Sequence, residues 1–396
     1  MSHIDDLIAQ HCPNGVPRRR LSTLGIRNKG TAMTASKMKS IGGGGPVRIF
    51  AGGNTVADVS MDAIPEKDIV KSPSIIVKSR GNIGFEYYEK LFSHKSELWS
   101  YTISDYRVEQ KFVYYYLLTK VDSLQALARA TSVKIPQLSV KDTDSLQIPV
   151  PPLEVQRGIV RILDQFTALE AELEAELEAR RRQYGHYRDA LFDDINHERW
   201  VPLSQIGRFQ RGSSLQKKNL TDAGVPAFHY GQVYTHYGVS AVTTKSFVSQ
   251  EFSLNKRCLN PGDVFIATTS ENEEDLGKAV AWLGDEPAVA SSDAYIYRSD
   301  ADARFISHFF ASEHFQLQKK KFVTGTKVKR LSGDSIGKIR IPFPSRSEQE
   351  IIADSLDRFE TLVNDLSVGL PAELAARRKQ YEYYRDKLLT FEEAPA

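Results

Sequence analysis

The chain repeats itself, and the repeat limits what it can fold into more than any other feature. Leu21-Ser-Thr-Leu-Gly25 returns as Leu203-Ser-Gln-Ile-Gly207, and a Val-Pro pair precedes each copy, Val16-Pro17 and Val201-Pro202. Asp68 to Gly84 corresponds more loosely to Gly262-Asp-Val-Phe-Ile-Ala-Thr-Thr-Ser270 followed by Leu276-Gly277. From Phe112-Val113 through Lys134 and Leu138-Ser139 to Ile148-Pro-Val-Pro151, the second copy keeps one constant offset: Phe305-Ile306, Lys327, Leu331-Ser332 and Ile341-Pro-Phe-Pro344. Arg181-Arg-Gln-Tyr-Gly-His-Tyr-Arg-Asp189 then returns as Arg378-Lys-Gln-Tyr-Glu-Tyr-Tyr-Arg-Asp386, four residues further along. With 396 residues and about 150 per domain, each copy is a globular domain followed by a long polar segment.

The polar segments carry a helical pattern. After Pro152, large apolar side chains fall at Ile159, Ile162, Phe166, Leu169, Leu173, Leu177, Tyr184, Tyr187 and Leu191, in steps that alternate three and four as in a coiled-coil seam. The tandem tetrads at Leu169, Leu173 and Leu177 add an extra four-residue step, a stutter that locally unwinds a supercoil. The second segment places Ile352, Phe359, Leu362, Leu366, Leu370, Leu374, Tyr381, Tyr384 and Leu388 in the same way, with Gly369 and Pro371 predicting a bend. A helix of about 40 residues spans about 60 Å, too long to fold back on a domain of this size. An antiparallel pair therefore places the two halves at opposite ends of a rod, related by a pseudo-twofold axis. The alternative is that each helix covers its own domain's core.

The globular halves read as α+β. Short alternating runs such as Pro226 to Tyr234 and Gly262 to Ala267 mark strands, and Glu109 to Leu118 and Ala303 to Phe315 mark one helix in each half. A hydrophobic content of 41% against 26% charged residues supplies real cores and excludes a disordered chain. No apolar run reaches the roughly 20 residues a bilayer needs, and the first ten residues do not resemble a leader, which together predict a soluble, unexported chain. Two cysteines, Cys12 and Cys258, build neither a disulfide framework nor a thiolate zinc site, so a reducing cytoplasm is expected.

Catalytic signatures are missing. No glycine loop for a dinucleotide or S-adenosylmethionine follows a strand, and no serine nucleophile elbow is present; Gly42 to Gly45 lacks the Gly-Lys-Ser/Thr of a phosphate cradle. Asp105 with Glu109-Gln-Lys111 only faintly resembles a nuclease metal site, and the second copy has no counterpart. Positive charge says more. Lys319, Lys320, Lys321, Lys327, Lys329 and Arg330 surround a turn in the second half, where they can neutralise phosphates. Arg129 and Lys134, with Lys78, Arg80 and Asn82 in a Gly-containing loop, are the first half's candidates; Gln137 and Gln232 are further side chains of the type that reads base edges. Phe166, Leu169, Leu173, Leu177, Tyr184, Tyr187, Phe359, Leu366, Leu374, Tyr381 and Tyr384 are assigned to the helical seam or a partner interface.

With these features assembled, the chain resembles the specificity subunit of a type I restriction and modification enzyme over nearly its whole length. The resemblance is carried by the duplicated layout, the proline bracket followed by Ser347-Glu348-Gln349, Gly262 to Ile266, Tyr230-Gly-Gln-Val-Tyr234 and the tetrads at Leu169. Two departures are Leu153-Glu-Val-Gln156 at the first helix start and the break at Gly369 and Pro371. The resemblance implies two similar globular target-recognition domains, residues 1–151 and 193–344, separated by two long antiparallel coiled-coil helices, residues 152–192 and 345–392. Each domain would bind one half of a split, asymmetric double-stranded DNA target. The helices would set the half-site spacing and dock two methyltransferase subunits, joined by restriction subunits where a system has them. It implies a non-catalytic chain without its own cofactor, with S-adenosylmethionine, magnesium and ATP held by the partners. The competing readings are a self-sufficient methyltransferase or nuclease, and a coiled-coil scaffold that does not bind DNA.

Overall fold

A computed structural model describes residues 3–131, 134–364 and 368–394. The chain divides into two compact units, residues 1–171 with 377–396, and residues 172–376. Among the described residues no helix is long and apolar enough to cross a membrane.

In the first unit a four-stranded antiparallel sheet runs in the order Gly25–Lys29, Trp99–Ile103, Ser74–Lys78, Gly84–Tyr88. A three-stranded sheet, Val56–Val59, Val47–Phe50 and Phe92–His94, lies in the same unit. Strand Ser74–Lys78 is buried at all but its last residue, with an apolar centre Ile75-Ile76-Val77, because both of its faces are covered. Ile75 and Val77 join the core built on the helix Gln110–Leu118, while Ile76 packs with Phe50, Phe92 and Leu98.

The second unit repeats this plan. Strand Val264–Ala267 is buried along its length and lies inside a five-stranded sheet, Gly207–Arg211, Ala294–Ser299, Val264–Ala267, Ala279–Trp282, Ser240–Ala241. Val264 and Ile266 face the core that holds Phe305, Ile306 and Phe309, and Phe265 and Ala267 face a second apolar cluster with Phe228 and Trp282. The helix expected over Ala303 to Phe315 is two helices, Ala303–Ala311 and Glu313–Lys319. Ser312 interrupts it, because its extended backbone lets the hydroxyl cap the amide of Phe315.

The two ends of each repeat close on each other. Arg18–Arg20 pairs antiparallel with Gln147–Pro149, and Trp200–Pro202 pairs with Arg340–Pro342, so the proline bracket is the last strand of its unit. The amides of Leu21 and Leu203 donate to Leu146 and Ile339, both at 2.9 Å, which makes the two Leu-Ser motifs equivalent. The two Val-Pro pairs are not. Val201-Pro202 lies within its strand, whereas Val16 precedes the strand and exchanges hydrogen bonds with Glu392 and Ala394 near the other end of the chain.

One buried side chain joins each domain to the helix that follows. Gln156 is fully buried; its amide donates to Pro151 O at 2.7 Å and Arg107 O at 3.0 Å and accepts from Glu109 N at 2.8 Å. Gln349 does the same in the second unit, donating to Pro344 O at 2.9 Å and accepting from Asp302 N at 2.9 Å. The unusual start Leu153-Glu-Val-Gln156 therefore keeps the glutamine that matters.

The long helix Leu153–Asp193 is unbroken over 41 residues. In the first unit Val155, Ile159, Val160 and Leu163 enter the globular core, so the opening turns do cover their own domain. Pairing follows: Phe166 stacks on Tyr384 at 5.6 Å and Glu170 accepts from Arg378 at 2.6 Å, so partner numbers fall as helix numbers rise and the helices run antiparallel. The second unit shows the same sense, with Arg181 Nε on Val363 O and Tyr187 against Phe359 at 5.0 Å. Tyr184, Leu177 and Leu374 are buried, and Phe359 and Tyr381 pack at core margins. Leu173 is half-buried, but Leu169 is 54% exposed and is not part of the internal seam. Leu366 lies outside the described residues. The second helical segment is two helices, Arg346–Asn364 and Leu370–Leu388, and not one bent helix. Gly369 sits between them at φ +80°, and Pro371 falls in the new first turn, where a missing N–H costs nothing.

Replacing Gln349 with Ala strands the Asp302 amide and the Pro344 carbonyl inside the protein. We expect a loss of about 3 kcal/mol in denaturant unfolding, and a similar loss for Gln156→Ala. A loss below about 0.5 kcal/mol in either variant would show that the joint is not held this way.

Candidate nucleic-acid interface

In the first unit the central strand Ser74–Lys78 continues into an exposed loop that is fixed at both sides. Leu138 N donates to Ser79 O at 2.9 Å, Arg80 bridges Gln137 in antiparallel fashion, and Gly81 N donates to Pro136 O at 2.9 Å. The loop turns at Gly81, whose φ of +79° suits glycine. The Gln125 amide, on the helix Val121–Thr131, accepts from Ile83 N at 2.8 Å and donates to Gly81 O at 3.2 Å. Arg80, Asn82, Lys134 and Gln137 are exposed around this short ribbon. Arg129 is exposed on the helix Val121–Thr131, and Lys78 is paired with Glu86 at 2.8 Å.

The equivalent ribbon in the second unit is longer. Leu331 N donates to Thr268 O at 3.1 Å, and Thr269-Ser270 pairs antiparallel with Lys329-Arg330. Thr324 and Arg330 bridge to close a hairpin over Gly325, where a Cβ would meet Val328 O at 2.1 Å. Lys320, Lys321, Lys327 and Arg330 are exposed and Lys329 is half-buried.

Two expected contacts are elsewhere. Lys319 is 1% exposed, and its ammonium donates to Glu274 O at 2.9 Å and Leu276 O at 2.7 Å, so it is an internal clamp. Burial pushes its pKa down to about 8. Gln232 lies in a helical turn, Tyr230–Val233, and donates to Ser246 Oγ at 2.7 Å, which ties it into the fold.

Position by position, Arg80 and Gln137 of the first ribbon correspond to Thr269 and Arg330 of the second. The cation has changed strands. Arginine, asparagine and glutamine side chains on such a support can make paired hydrogen bonds to base edges, and the lysines can neutralise phosphates. The sequence reading also missed a cleft of about 610 Å³ beside the outer strand Gly25–Lys29. Arg27, Lys29, Lys67 and Lys71 line it. Arg27 and Lys71 are paired with Asp144 and Glu66, which leaves Lys29 and Lys67 as its uncompensated cations among the described residues. These positions are far apart in sequence and meet only through the sheet order.

The faint nuclease pattern disperses. Asp105 accepts from Arg107 and Arg19, which hold its carboxyl far below the usual range, and Lys111 pairs with Asp164 at 3.1 Å. Among the described residues no group of three or more His, Cys, Asp or Glu side chains has a metal-binding arrangement.

The clamp role of Lys319 is testable without DNA. Lys319→Met removes the donor from two carbonyls, that of Leu276 buried and that of Glu274 partly so, and should cost about 2 kcal/mol in denaturant unfolding, whereas Lys327→Ala should stay within about 0.5 kcal/mol. An unfolded lysine keeps its proton to about pH 10.4, so between about pH 8 and that value the unfolded state binds more protons and the lysine's contribution to stability rises. The margin of the unaltered chain over Lys319→Met should therefore widen as the pH is raised from about 7 to about 10; a constant margin would contradict the clamp.

Comparison with known proteins agrees with this geometry. Residues 26–179 and 198–376 match the family model of the type I restriction modification DNA specificity domain. The EcoR124I/EcoR124II specificity subunit of an Escherichia coli type I restriction enzyme is 31% identical over 296 residues, spanning 71% of this chain and 70% of that protein. A putative type I specificity subunit of Haemophilus influenzae is 28% identical over 293 residues, 72% of this chain and 73% of that protein. The fold is similar to that of the S subunit of a type I restriction-modification system from M. genitalium, with a TM-score of 0.52 and 18% identity over 94% of this chain and 96% of that one. A chain from a structure of a type I restriction-modification system gives a TM-score of 0.56 at 15% identity, covering 95% and 98%. Two matched domains on two structurally equivalent units, in relatives that are themselves specificity subunits, place the chain in the family of type I restriction-modification DNA specificity subunits, which choose the target and do not catalyse.

Proposed function

We propose that the chain recognises a bipartite, asymmetric double-stranded DNA target, one half-site per unit, for partner subunits that carry the chemistry. One observation carries this reading. Two equivalent ribbons, held by the same backbone contacts, present different side chains: Arg80, Asn82 and Gln137 in one, Thr269, Lys327 and Arg330 in the other. Identical frames with different reading groups suit two different half-sites.

The helices are the docking surface for two methyltransferase subunits, and for restriction subunits where the system has them. Apolar side chains that the chain leaves uncovered support this, notably Leu169 and Tyr383 at 54% and 64% exposure, with Leu362 and Tyr384. S-adenosylmethionine, magnesium and ATP belong to those partners. The unbroken helix Leu153–Asp193 fixes the distance between half-sites.

Methylation mapping in a host that carries this chain with its methyltransferase tests the reading. Arg80→Ala should relax one base position in a single half-site, and Lys327→Ala should lower the salt slope of DNA binding by about one without changing the bases read. Deleting Leu173 to Glu176 removes about 6 Å of helix and should shorten the preferred spacer by at most about two base pairs with both half-sites kept. Altered half-site bases at the original spacing would contradict the spacer role.

A further inference from the structure

Beside its basic hairpin the second ribbon carries an acidic loop that has no counterpart in the first unit. Ile83 and Leu276 are equivalent buried anchors, each followed by glycine, Gly84 and Gly277. Between the ribbon and this anchor the first unit has Arg80-Gly-Asn82, whereas the second has Thr269-Ser-Glu-Asn-Glu-Glu-Asp275. The additional chain is almost entirely carboxylate.

The loop is held in place and not left loose. Lys319 clamps two of its carbonyls from below, at Glu274 and Leu276. Asn272 organises it from within, accepting from Glu274 N at 2.8 Å and donating to Asp275 at 3.2 Å, while its own amide donates to Ser270 Oγ at 3.1 Å. Among the described residues Glu271, Glu273 and Glu274 form no ion pair within 4.0 Å, and neither do Lys320, Lys321, Lys327, Lys329 or Arg330. The two sets of charge lie close without neutralising each other by contact, since Glu271 directly follows Ser270, the pairing partner of Lys329. At physiological salt a charge is felt over about 8 Å, so a phosphate drawn to the hairpin also meets these carboxylates. The first ribbon, with Arg80 at the equivalent place, offers attraction alone.

We propose that Glu271, Glu273 and Glu274 form an electrostatic filter. They repel the phosphate backbone from the second ribbon, so this unit engages only where base contacts to its own half-site outweigh the repulsion. Sequence-independent grip then comes mainly from the first unit, and discrimination mainly from the second. The inference rests on the DNA-reading role assigned above.

The test uses the full chain, a random-sequence duplex and the duplex identified by methylation mapping, with binding followed by fluorescence anisotropy across a salt series. The triple variant Glu271→Gln, Glu273→Gln, Glu274→Gln keeps side-chain shape and the backbone carbonyls that accept from Lys319, while removing the Glu273 and Glu274 charges that act on its ammonium. It should bind the random duplex about tenfold more tightly at low salt, with the gain fading as salt rises, while the ratio of target to random affinity falls. Unchanged random-duplex affinity overturns the filter. So does a selective loss of target affinity, which would mean that the carboxylates accept hydrogen bonds from bases. A second variant, Lys327→Ala with Lys329→Ala and Arg330→Ala, separates the two levels of the argument. It should weaken binding to both duplexes; if it changes neither, the ribbon is not the DNA interface, and the proposed function falls together with the filter.

Discussion

A buried glutamine amide is the joint on which each unit depends. It offers one acceptor and two donors; Gln156 spends all three on backbone groups, and Gln349 spends its oxygen and one donor in the same way. Its oxygen takes the amide of Glu109 or Asp302, the residue that begins the helix after the central sheet. Its nitrogen supplies the carbonyl of Pro151 or Pro344, where the closing strand ends. Glutamate would lack the donor and leucine would lack both, so the residue type follows from the three elements that converge there. Apolar contacts between these elements are non-directional, so the angle at which the long helix leaves its domain is set by this amide together with the polar contacts further along the helix.

A second polar contact, about two turns further along the long helix, reinforces the first with chemistry that differs between the copies. In the first unit Lys111 and Tyr115 both donate to Asp164, Tyr115 at 2.6 Å. In the second unit Arg304 and His308 take those places against Asp357. His308 is fully buried; Nε2 donates to the carboxylate at 2.8 Å, and Nδ1 is paired with the Tyr184 hydroxyl at 3.1 Å. Burial alone would raise the Asp357 pKa, but the bonds from His308 and Arg304 outweigh it and hold the carboxyl below its usual range. Geometry is maintained while composition drifts, as expected where the constraint is a position in space and the donor is free to vary.

The repeat, the proline bracket and the doubly buried strands were legible because each leaves a local pattern. Ile75-Ile-Val77 and Val264-Phe-Ile-Ala267 are continuous apolar runs, and strands covered on both faces look like that. The glutamine joint was visible only as a departure, since its role depends on partners nearly 50 residues away in sequence. Lys319 was misread for a similar reason. In sequence it is the first of three lysines, but the helix Glu313–Lys319 turns it inward over Phe315 and leaves Lys320 and Lys321 outside. Leu169 was misread because spacing of three and four marks a helical stripe without saying whether the chain itself covers it. The candidates that did assemble, Arg80, Asn82, Lys134 and Gln137, share a glycine turn and a repeat counterpart, and those are signals of local structure.

The division of labour between frame and reading groups explains how such a chain can change target without losing its fold. The contacts that support each ribbon are backbone bonds, Leu138 to Ser79 and Leu331 to Thr268, and side chains that point inward, Gln125 and Lys319. None of these requires a particular residue at Arg80, Asn82 or Gln137, nor at Thr269, Lys327 or Arg330. Substitution at Arg80, Asn82, Gln137, Lys327 or Arg330 therefore costs little stability, as is general for exposed residues without structural bonds, whereas Thr269 is half-buried and its hydroxyl reaches Asp293 at 3.4 Å. The two copies already display the result: a cation has moved from one strand of the ribbon to the other, and an acidic loop has been added on one side, while the glutamine joint beneath keeps its bonds to the closing strand and to the start of the domain helix. A reader built this way meets its specificity limit in the electrostatics of the loops and not in the stability of the domain, because phosphate attraction grows with every cation added whether or not the bases match. Under the filter proposed above, carboxylates placed among those cations would keep the affinity of a small basic surface conditional on sequence.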